Sequence, residues 1–190
     1  GTYIALTGDR LKQADGLAAG LADAAVPTAR MAELTGRLIA GEPVDAAIAA
    51  CAMAPGPSPL MAEQALIGRC FSAGSVTGIL AALDHEATAG SAFAGKAATM
   101  IRAKSPMSLS IAREQMKRGG ALTFAEAMRL EFRIVARLCH DADFYEGVRA
   151  LIVDKDNAPR WSPPTLAEVD PAAVEAHFAS LGAAELPLEG

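Results

Sequence analysis

Alanine recurs along almost the whole chain, often in pairs such as Ala18-Ala19, Ala46-Ala47 and Ala97-Ala98. It costs no side-chain entropy in a helix and lets neighbouring backbones approach closely, so this usage favours tightly packed helices. With 52% hydrophobic and 21% charged residues in 190, the chain can bury a sizeable core. Disorder is excluded on the same grounds.

Helix punctuation follows the chain. Thr2–Leu6 reads as a helix end, Thr7-Gly8-Asp9 as a turn, and Leu11–Ala19 as a short second helix. A brief apolar stretch over 21–26 is stopped by Pro27, and two helical patterns over 28–50 break at Gly41-Glu42-Pro43. Pro55, Pro57 and Pro59 with Gly56 and Ser58 predict a stiff loop before Met61–Gly68. Ser75 is a suitable N-cap for a helix to about Leu83, and further helices are expected over Ser91–Lys104 and Ser108–Lys117. Lys117-Arg118 before Gly119-Gly120 closes the last of these with cations on its carbonyl end. Thr123 and Glu126 form a capping box, followed by an apolar row of Ala125, Met128, Phe132, Val135 and Cys139. Thr165 with Glu168 repeats the box, Asp170-Pro171 opens a helix, and Val174, Phe178 and Leu181 supply its stripe. At most two stretches could be short strands.

A net charge of −5 and 5% aromatic residues give neither a duplex-wrapping surface nor an RNA module, so nucleic acid is not an expected partner. No apolar run approaches the roughly 18 residues of a membrane span, and no targeting segment is recognisable in this chain. Cys51, Cys70 and Cys139 are odd in number and scattered, which fits free thiols in a reducing compartment. The chain opens at Gly1 inside an apparent helix, and is therefore read as a fragment of something larger.

Motifs that carry chemistry are scarce. There is no glycine-rich phosphate loop, nucleophile elbow or metal-spaced cysteine pair. His85, His140 and His177 lie far apart and read as structural or solvated, and Cys70 and Cys139 as small core residues. The row Arg129, Arg133 and Arg137 reads as a solvated or salt-bridged face. Trp161, in Pro159-Arg160-Trp161-Ser162-Pro163-Pro164, is expected to pack against the domain edge rather than stack on a base. Asp154, Lys155 and Asp156 form a charged turn, a cap or hinge, and Glu146 with Arg149 a structural ion pair rather than a catalytic acid.

An ordered set of segments points further. Gly1-Thr2-Tyr3-Ile4-Ala5-Leu6-Thr7-Gly8-Asp9-Arg10-Leu11, with Ala14-Asp15 and Gly20-Leu21-Ala22, resembles the stretch just after the active site in the enoyl-CoA hydratase/isomerase (crotonase) superfamily. Cys70-Phe71-Ser72, Lys104-Ser105-Pro106, Leu122-Thr123-Phe124 and Glu131-Phe132-Arg133 narrow the likeness. So do Asp143 through Ala150, Asp154-Lys155-Asp156 and Pro159-Arg160-Trp161. Together they resemble the 3-hydroxyisobutyryl-CoA hydrolase group of valine catabolism, over essentially all 190 residues.

That resemblance implies a mainly α chain: the C-terminal helical portion of a crotonase-like α/β (ββα spiral) fold, with the spiral core largely absent. Its divisions would be 1–27 as the end of the core, 28–90 as a helical insertion typical of the hydrolase group, and 91–190 as a C-terminal helical domain. It further implies a CoA-thioester hydrolase as the full-length parent, releasing 3-hydroxyisobutyrate and coenzyme A with no cofactor required. Coenzyme A enters only as part of the substrate. The oxyanion hole and catalytic carboxylates would lie upstream of Gly1, so no residue here is assigned a catalytic role, no metal site is expected, and this piece alone would be inactive. Lys155 and Arg160, which follow the Glu146-Gly147 motif, are candidates for contacts to the phosphate-rich CoA tail.

Expected partners are the acyl-CoA thioester, the N-terminal half and further copies in a homo-oligomer, with neither nucleic acid nor membrane. The compartment would be the cytoplasm in a bacterium and the mitochondrial matrix in a eukaryote. An enoyl-CoA hydratase or isomerase, and a non-catalytic helical interaction module, remain the alternative readings.

Overall fold

The computed structural model describes residues 1–188. Its helices are α1 (Thr2–Thr7), α2 (Gln13–Ala18), α3 (Met31–Ile39), α4 (Val44–Cys51), α5 (Pro59–Ala62) and α6 (Gln64–Phe71). They continue with α7 (Val76–Thr88), α8 (Ala92–Arg102), α9 (Pro106–Gly119), α10 (Phe124–Leu138), α11 (Ala142–Val148) and α12 (Pro171–Ala176). A π-helical turn, Arg149–Val153, follows α11 directly. No strand occurs among the described residues, in keeping with the helical character read from the alanines. The apolar stretch 21–26 joins no ladder; the Ala25 carbonyl accepts a single bond from the Met53 amide at 2.8 Å.

Serine sets the starts of the central helices. The hydroxyl oxygens of Ser75, Ser91 and Ser105 accept from the amides of Gly78, Ala94 and Ser108, each at 3.1 Å. Each cap satisfies one of the N–H groups that a helix start leaves unpaired. Two sequence boundaries shift for a physical reason. Pro59 and Pro106 belong to helices rather than to the loops before them, because proline's fixed φ and missing N–H suit the first turn once Ser58 and Ser105 cap it. α7 runs on to Thr88, one turn past the expected Leu83.

The chain forms two compact units, Asp9–Leu66 and the remainder, Gly1–Gly8 with the chain from Ile67 onward. These are cut differently from the sequence divisions at 27 and 90. Position 90 lies in the turn between α7 and α8, which pack against each other within one unit.

In the larger unit that turn uses Gly90 at φ +104°, and the helices it joins approach closely through small residues. Gly95 lies where an added Cβ would be 3.7 Å from the Ala87 Cβ, and Ala94, Ala97 and Ala98 are buried. Ile79, Leu83 and Ile101 are fully buried, each worth about 1.5–3 kcal/mol over exposure to water. α1 packs on α8 and α9, with the Tyr3 ring 5.4 Å from both Phe71 and Phe93. A second cluster gathers Ile111, Leu130, Ile134 and Phe178, flanked by Met107, Leu122, Leu138 and Val174. The Arg118 guanidinium covers the Phe178 ring at 4.1 Å.

α10 starts on the expected capping box, with the Thr123 hydroxyl 3.3 Å from the Glu126 amide and the Glu126 carboxylate accepting from the Thr123 amide at 2.8 Å. Its buried face is not the expected one. Leu130 and Ile134 are inward, whereas Met128, Phe132 and Val135 are 38%, 38% and 50% exposed. α10 carries two apolar rows at helical spacing, and contact with Ile111 and Phe178 selects the second.

The smaller unit is tied by Asp15. Its buried carboxylate accepts from the Ser58 hydroxyl at 2.7 Å and from the Leu60 and Lys12 amides at 3.0 and 3.2 Å. These donors, Ser58 foremost, hold the carboxyl below its ordinary pKa. α3 packs on α4 above the buried Ala47 and Cys51.

Candidate functional site

The charged motif between Asp143 and Trp161 folds into one knot around Arg149. Nε and Nη2 donate to the two Glu146 oxygens at 2.8 Å each, an i,i+3 fork along α11. Nη1 donates to Asp154 and to Asp156, both at 2.7 Å, and Nη2 also reaches the Ala158 carbonyl at 3.3 Å. All five N–H donors of the guanidinium are thereby engaged. Glu146 Oε1 additionally accepts from the Arg160 amide at 2.6 Å. With Arg149 the largest influence and this amide the next, the Glu146 carboxyl is held down to about 2, while Arg149 is pushed above its already high value. A carboxylate so firmly ionised is a poor general acid, as its reading as a structural partner requires.

The knot is anchored to the helices by a second carboxylate. Asp143, 8% exposed, accepts from the Ser105 hydroxyl at 2.6 Å and from the Ser162 amide at 2.8 Å. Ser105 meanwhile caps α9, so one hydroxyl joins a helix start to α11. Trp161 follows the expectation of an edge contact. Its indole N–H donates to the Ala103 carbonyl at 3.3 Å, and its ring lies 3.4 Å from where a Cβ on Gly147 would stand. Ser105 was visible in the sequence as a serine before a proline; nothing local pairs it with Asp143, 38 residues away.

Lys155 and Arg160 both lie on this knot and are exposed. Lys155 adopts φ +56° between the two aspartates held by Arg149. Arg160 lines an open cleft of about 470 Å³ with Tyr145, Glu146, Arg149 and Ser162.

The arginine row and His177 are structural. Arg133 Nε donates to both Glu185 oxygens, at 3.0 and 2.9 Å, and Nη2 lies 2.8 Å from Oε2. Arg129 donates to the Leu188 carbonyl, and Arg137 to the carbonyls of His177 and Ser180. The basic row thus straps the segment after α12 onto α10. Arg133, followed by the Ser180 hydroxyl among the lowering contacts, brings Glu185 down to about 2. His177 is buried, its Nδ1 2.9 Å from the Ala173 carbonyl and its Nε2 2.8 Å from Asp141; His85 and His140 are exposed. Cys70 is buried, and burial pushes its thiol up, whereas Cys139 is only half-buried at the end of α10. Among the described residues no cluster of three or more His, Cys, Asp or Glu could hold a metal ion, and no helix is long and apolar enough to cross a membrane.

Compared with known proteins, residues 1–178 match the family model for enoyl-CoA hydratase/isomerase. The human mitochondrial 3-hydroxyisobutyryl-CoA hydrolase is 34% identical over 196 residues, covering 98% of this chain and 50% of its own length. The 3-hydroxyisobutyryl-CoA hydrolase-like protein 5 of Arabidopsis thaliana is 31% identical over 189 residues, covering 94% and 49%. Among solved structures, a carnitinyl-CoA dehydratase from Mycobacterium thermoresistibile superposes with a TM-score of 0.90 at 38% identity, over 100% of this chain and 53% of that one. An enoyl-CoA hydratase from Rhodobacter sphaeroides 2.4.1 gives 0.85 at 33%, over 98% and 53%. The chain therefore spans about half the length of the curated relatives it matches.

Proposed function

We propose that this chain, which belongs to the enoyl-CoA hydratase/isomerase family, is the C-terminal helical part of an enzyme that hydrolyses 3-hydroxyisobutyryl-CoA to 3-hydroxyisobutyrate and free coenzyme A. The observation that carries the reading is the match, along 94–99% of this chain, to several relatives named as that hydrolase. Thioester hydrolysis needs donors aimed at the oxyanion and a carboxylate to attack or to activate water. In this reading those groups belong to the other half of the relatives' length, and this half forms the helical wall beside the acyl pocket. The turn carrying Lys155 and Arg160 then faces the phosphates of the CoA tail. Its compartment follows its origin, cytoplasm or mitochondrial matrix, and further copies of the chain are expected partners.

A second reading has its own support. The 38% identity to a carnitinyl-CoA dehydratase structure favours addition or removal of water at an enoyl thioester instead. The full-length protein decides between them. Given 3-hydroxyisobutyryl-CoA, a hydrolase releases free thiol at the rate the substrate disappears. A hydratase leaves the thioester intact and changes only the enoyl absorbance when given crotonyl-CoA.

A further inference from the structure

We infer that Arg149 is a positioning residue: by gathering Glu146, Asp154 and Asp156 on one guanidinium, it leaves Lys155 and Arg160 as a fixed pair of uncommitted cations for the phosphorylated tail of a CoA thioester. The inference rests on the proposed function, in which this turn meets that tail.

Residues 146–160 carry three carboxylates and three cations, so their sum offers an anion nothing. The arrangement alters that. All three carboxylates bond the central Arg149. Among the described residues, neither the Lys155 ammonium nor the Arg160 guanidinium forms a salt bridge. The negative groups are therefore each committed to one guanidinium, and the two remaining cations, exposed like Asp154 and Asp156, carry no ion pair of their own.

Backbone geometry fixes where they stand. Lys155 at φ +56° and Asn157 at φ +53° occupy a region that side chains other than glycine rarely adopt. Such conformations persist where surrounding bonds over-determine them. Here Arg149 holds the residues on either side of Lys155, the Asn157 amide donates to the Ala150 carbonyl at 3.1 Å, and the Asn157 side chain to the Lys155 carbonyl at 3.2 Å. The Arg160 amide is pinned on Glu146. Arg149 touches no ligand in this scheme. It sets the spacing of two groups that do.

Binding to the full-length protein tests this, with two probes that share a thiol arm: coenzyme A, and pantetheine, which has no phosphate. Arg149→Gln is expected to weaken coenzyme A about tenfold, the scale of two or three exposed charge contacts, and pantetheine less than about twofold. Arg149→Lys keeps the charge but lacks the fork, and should show the same split. The pair Asp154→Asn with Asp156→Asn separates position from charge. It makes the turn more positive, so charge alone predicts tighter coenzyme A binding, whereas positioning predicts binding weakened by about three- to tenfold. If Arg149→Gln does not fold, Arg149→Lys and the asparagine pair carry the test. Equal weakening of both probes, no weakening of either, or tighter binding by the asparagine pair would overturn the inference. Lys155→Ala with Arg160→Ala tests the reading beneath it. If that variant keeps the wild-type ratio of the two affinities, the turn does not meet the tail at all. If it loses coenzyme A while Arg149→Gln does not, only the role of Arg149 falls.

Discussion

Removing the Asp143 carboxylate should loosen the segment around Trp161 before it unfolds the chain. In Asp143→Ala two charge-assisted hydrogen bonds disappear, those from the Ser105 hydroxyl and the Ser162 amide. Bonds to a charged group contribute about 1.5–3 kcal/mol each. Ser162 is exposed, so water recovers part of its share, whereas Ser105 is 4% exposed and its hydroxyl loses its acceptor outright. The net cost is about 2–3 kcal/mol, spent on the contact between the α9 start and the segment near Ser162. Asp143→Asn behaves differently. Its oxygen can still accept from the Ser162 amide, and its NH2 can donate to Ser105 Oγ, which has a lone pair to spare beside its capping bond. The Ser162 bond and the side-chain link to Ser105 survive, while the charge is lost and the Ser105 O–H must turn to another acceptor, at about 1 kcal/mol in all.

Amide hydrogen exchange of the full-length protein reads both variants in place. At about 1.4 kcal/mol per factor of ten, the Ser162 amide should exchange roughly 30- to 150-fold faster in Asp143→Ala and about fivefold faster in Asp143→Asn. Amides in the middle of α8 should change little, because the opening is local. Unaltered Ser162 protection in Asp143→Ala would refute the claim that this carboxylate holds the segment. Loss of protection across α8 and the 160s together would refute its locality.

Three further outcomes follow from the same geometry. Gly147→Ala should be tolerated, since its Cβ would meet the Trp161 ring at 3.4 Å, but Gly147→Leu should displace the indole and raise the exchange rate of the 159–164 amides. Glu185 is held at about 2 against an ordinary 4.5, so its pairing with Arg133 stabilises the strap fully above pH 4.5 and is lost as the pH falls towards 2. Limited proteolysis between pH 5 and 2.5 should therefore cut the 177–188 segment increasingly fast in the wild type, and at a nearly constant rate in Glu185→Gln once corrected for protease activity. The 190-residue chain by itself exposes Phe124 at 80%, Leu151 at 61%, Ile152 at 65% and Val153 at 69%, and should bind a hydrophobic dye strongly. A cooperative melt with negligible dye binding would contradict that expectation.

Local chemistry was legible in the sequence wherever a residue acts on its own neighbours. Ser75, Thr123 and Asp170 cap the helices they were expected to cap, because a cap needs only a side-chain oxygen and an N–H two or three residues away. The Glu146–Arg149 pair is likewise an i,i+3 event. What escaped were choices settled at long range. Leu130 and Ile134 are core because Ile111 and Phe178 meet them, and periodicity alone could not rank them above Met128 and Phe132. The link between Ser105 and Asp143 joins positions that no pattern connects.

The arginine row shows where the line between the two falls. Spaced by four, Arg129, Arg133 and Arg137 must share one side of α10, and periodicity states that much. A row of three cations on a helix is ordinarily a solvated face, and each exposed ion pair on it would contribute less than about 1 kcal/mol. Among the described residues the partners are chiefly backbone carbonyls at 177, 178, 180 and 188, together with the Glu185 carboxylate. A strand ladder would use those carbonyls itself, and a helix would turn most of them onto its own amides. Among the described residues, the segment after α12 has neither arrangement beyond one short 3-10 turn, Gly182–Ala184, so its carbonyls need donors from elsewhere. The guanidiniums supply them, with five N–H groups apiece where a lysine offers three on a single atom. The row is thus part of the fold's hydrogen bonding rather than a reserve of charge for a ligand.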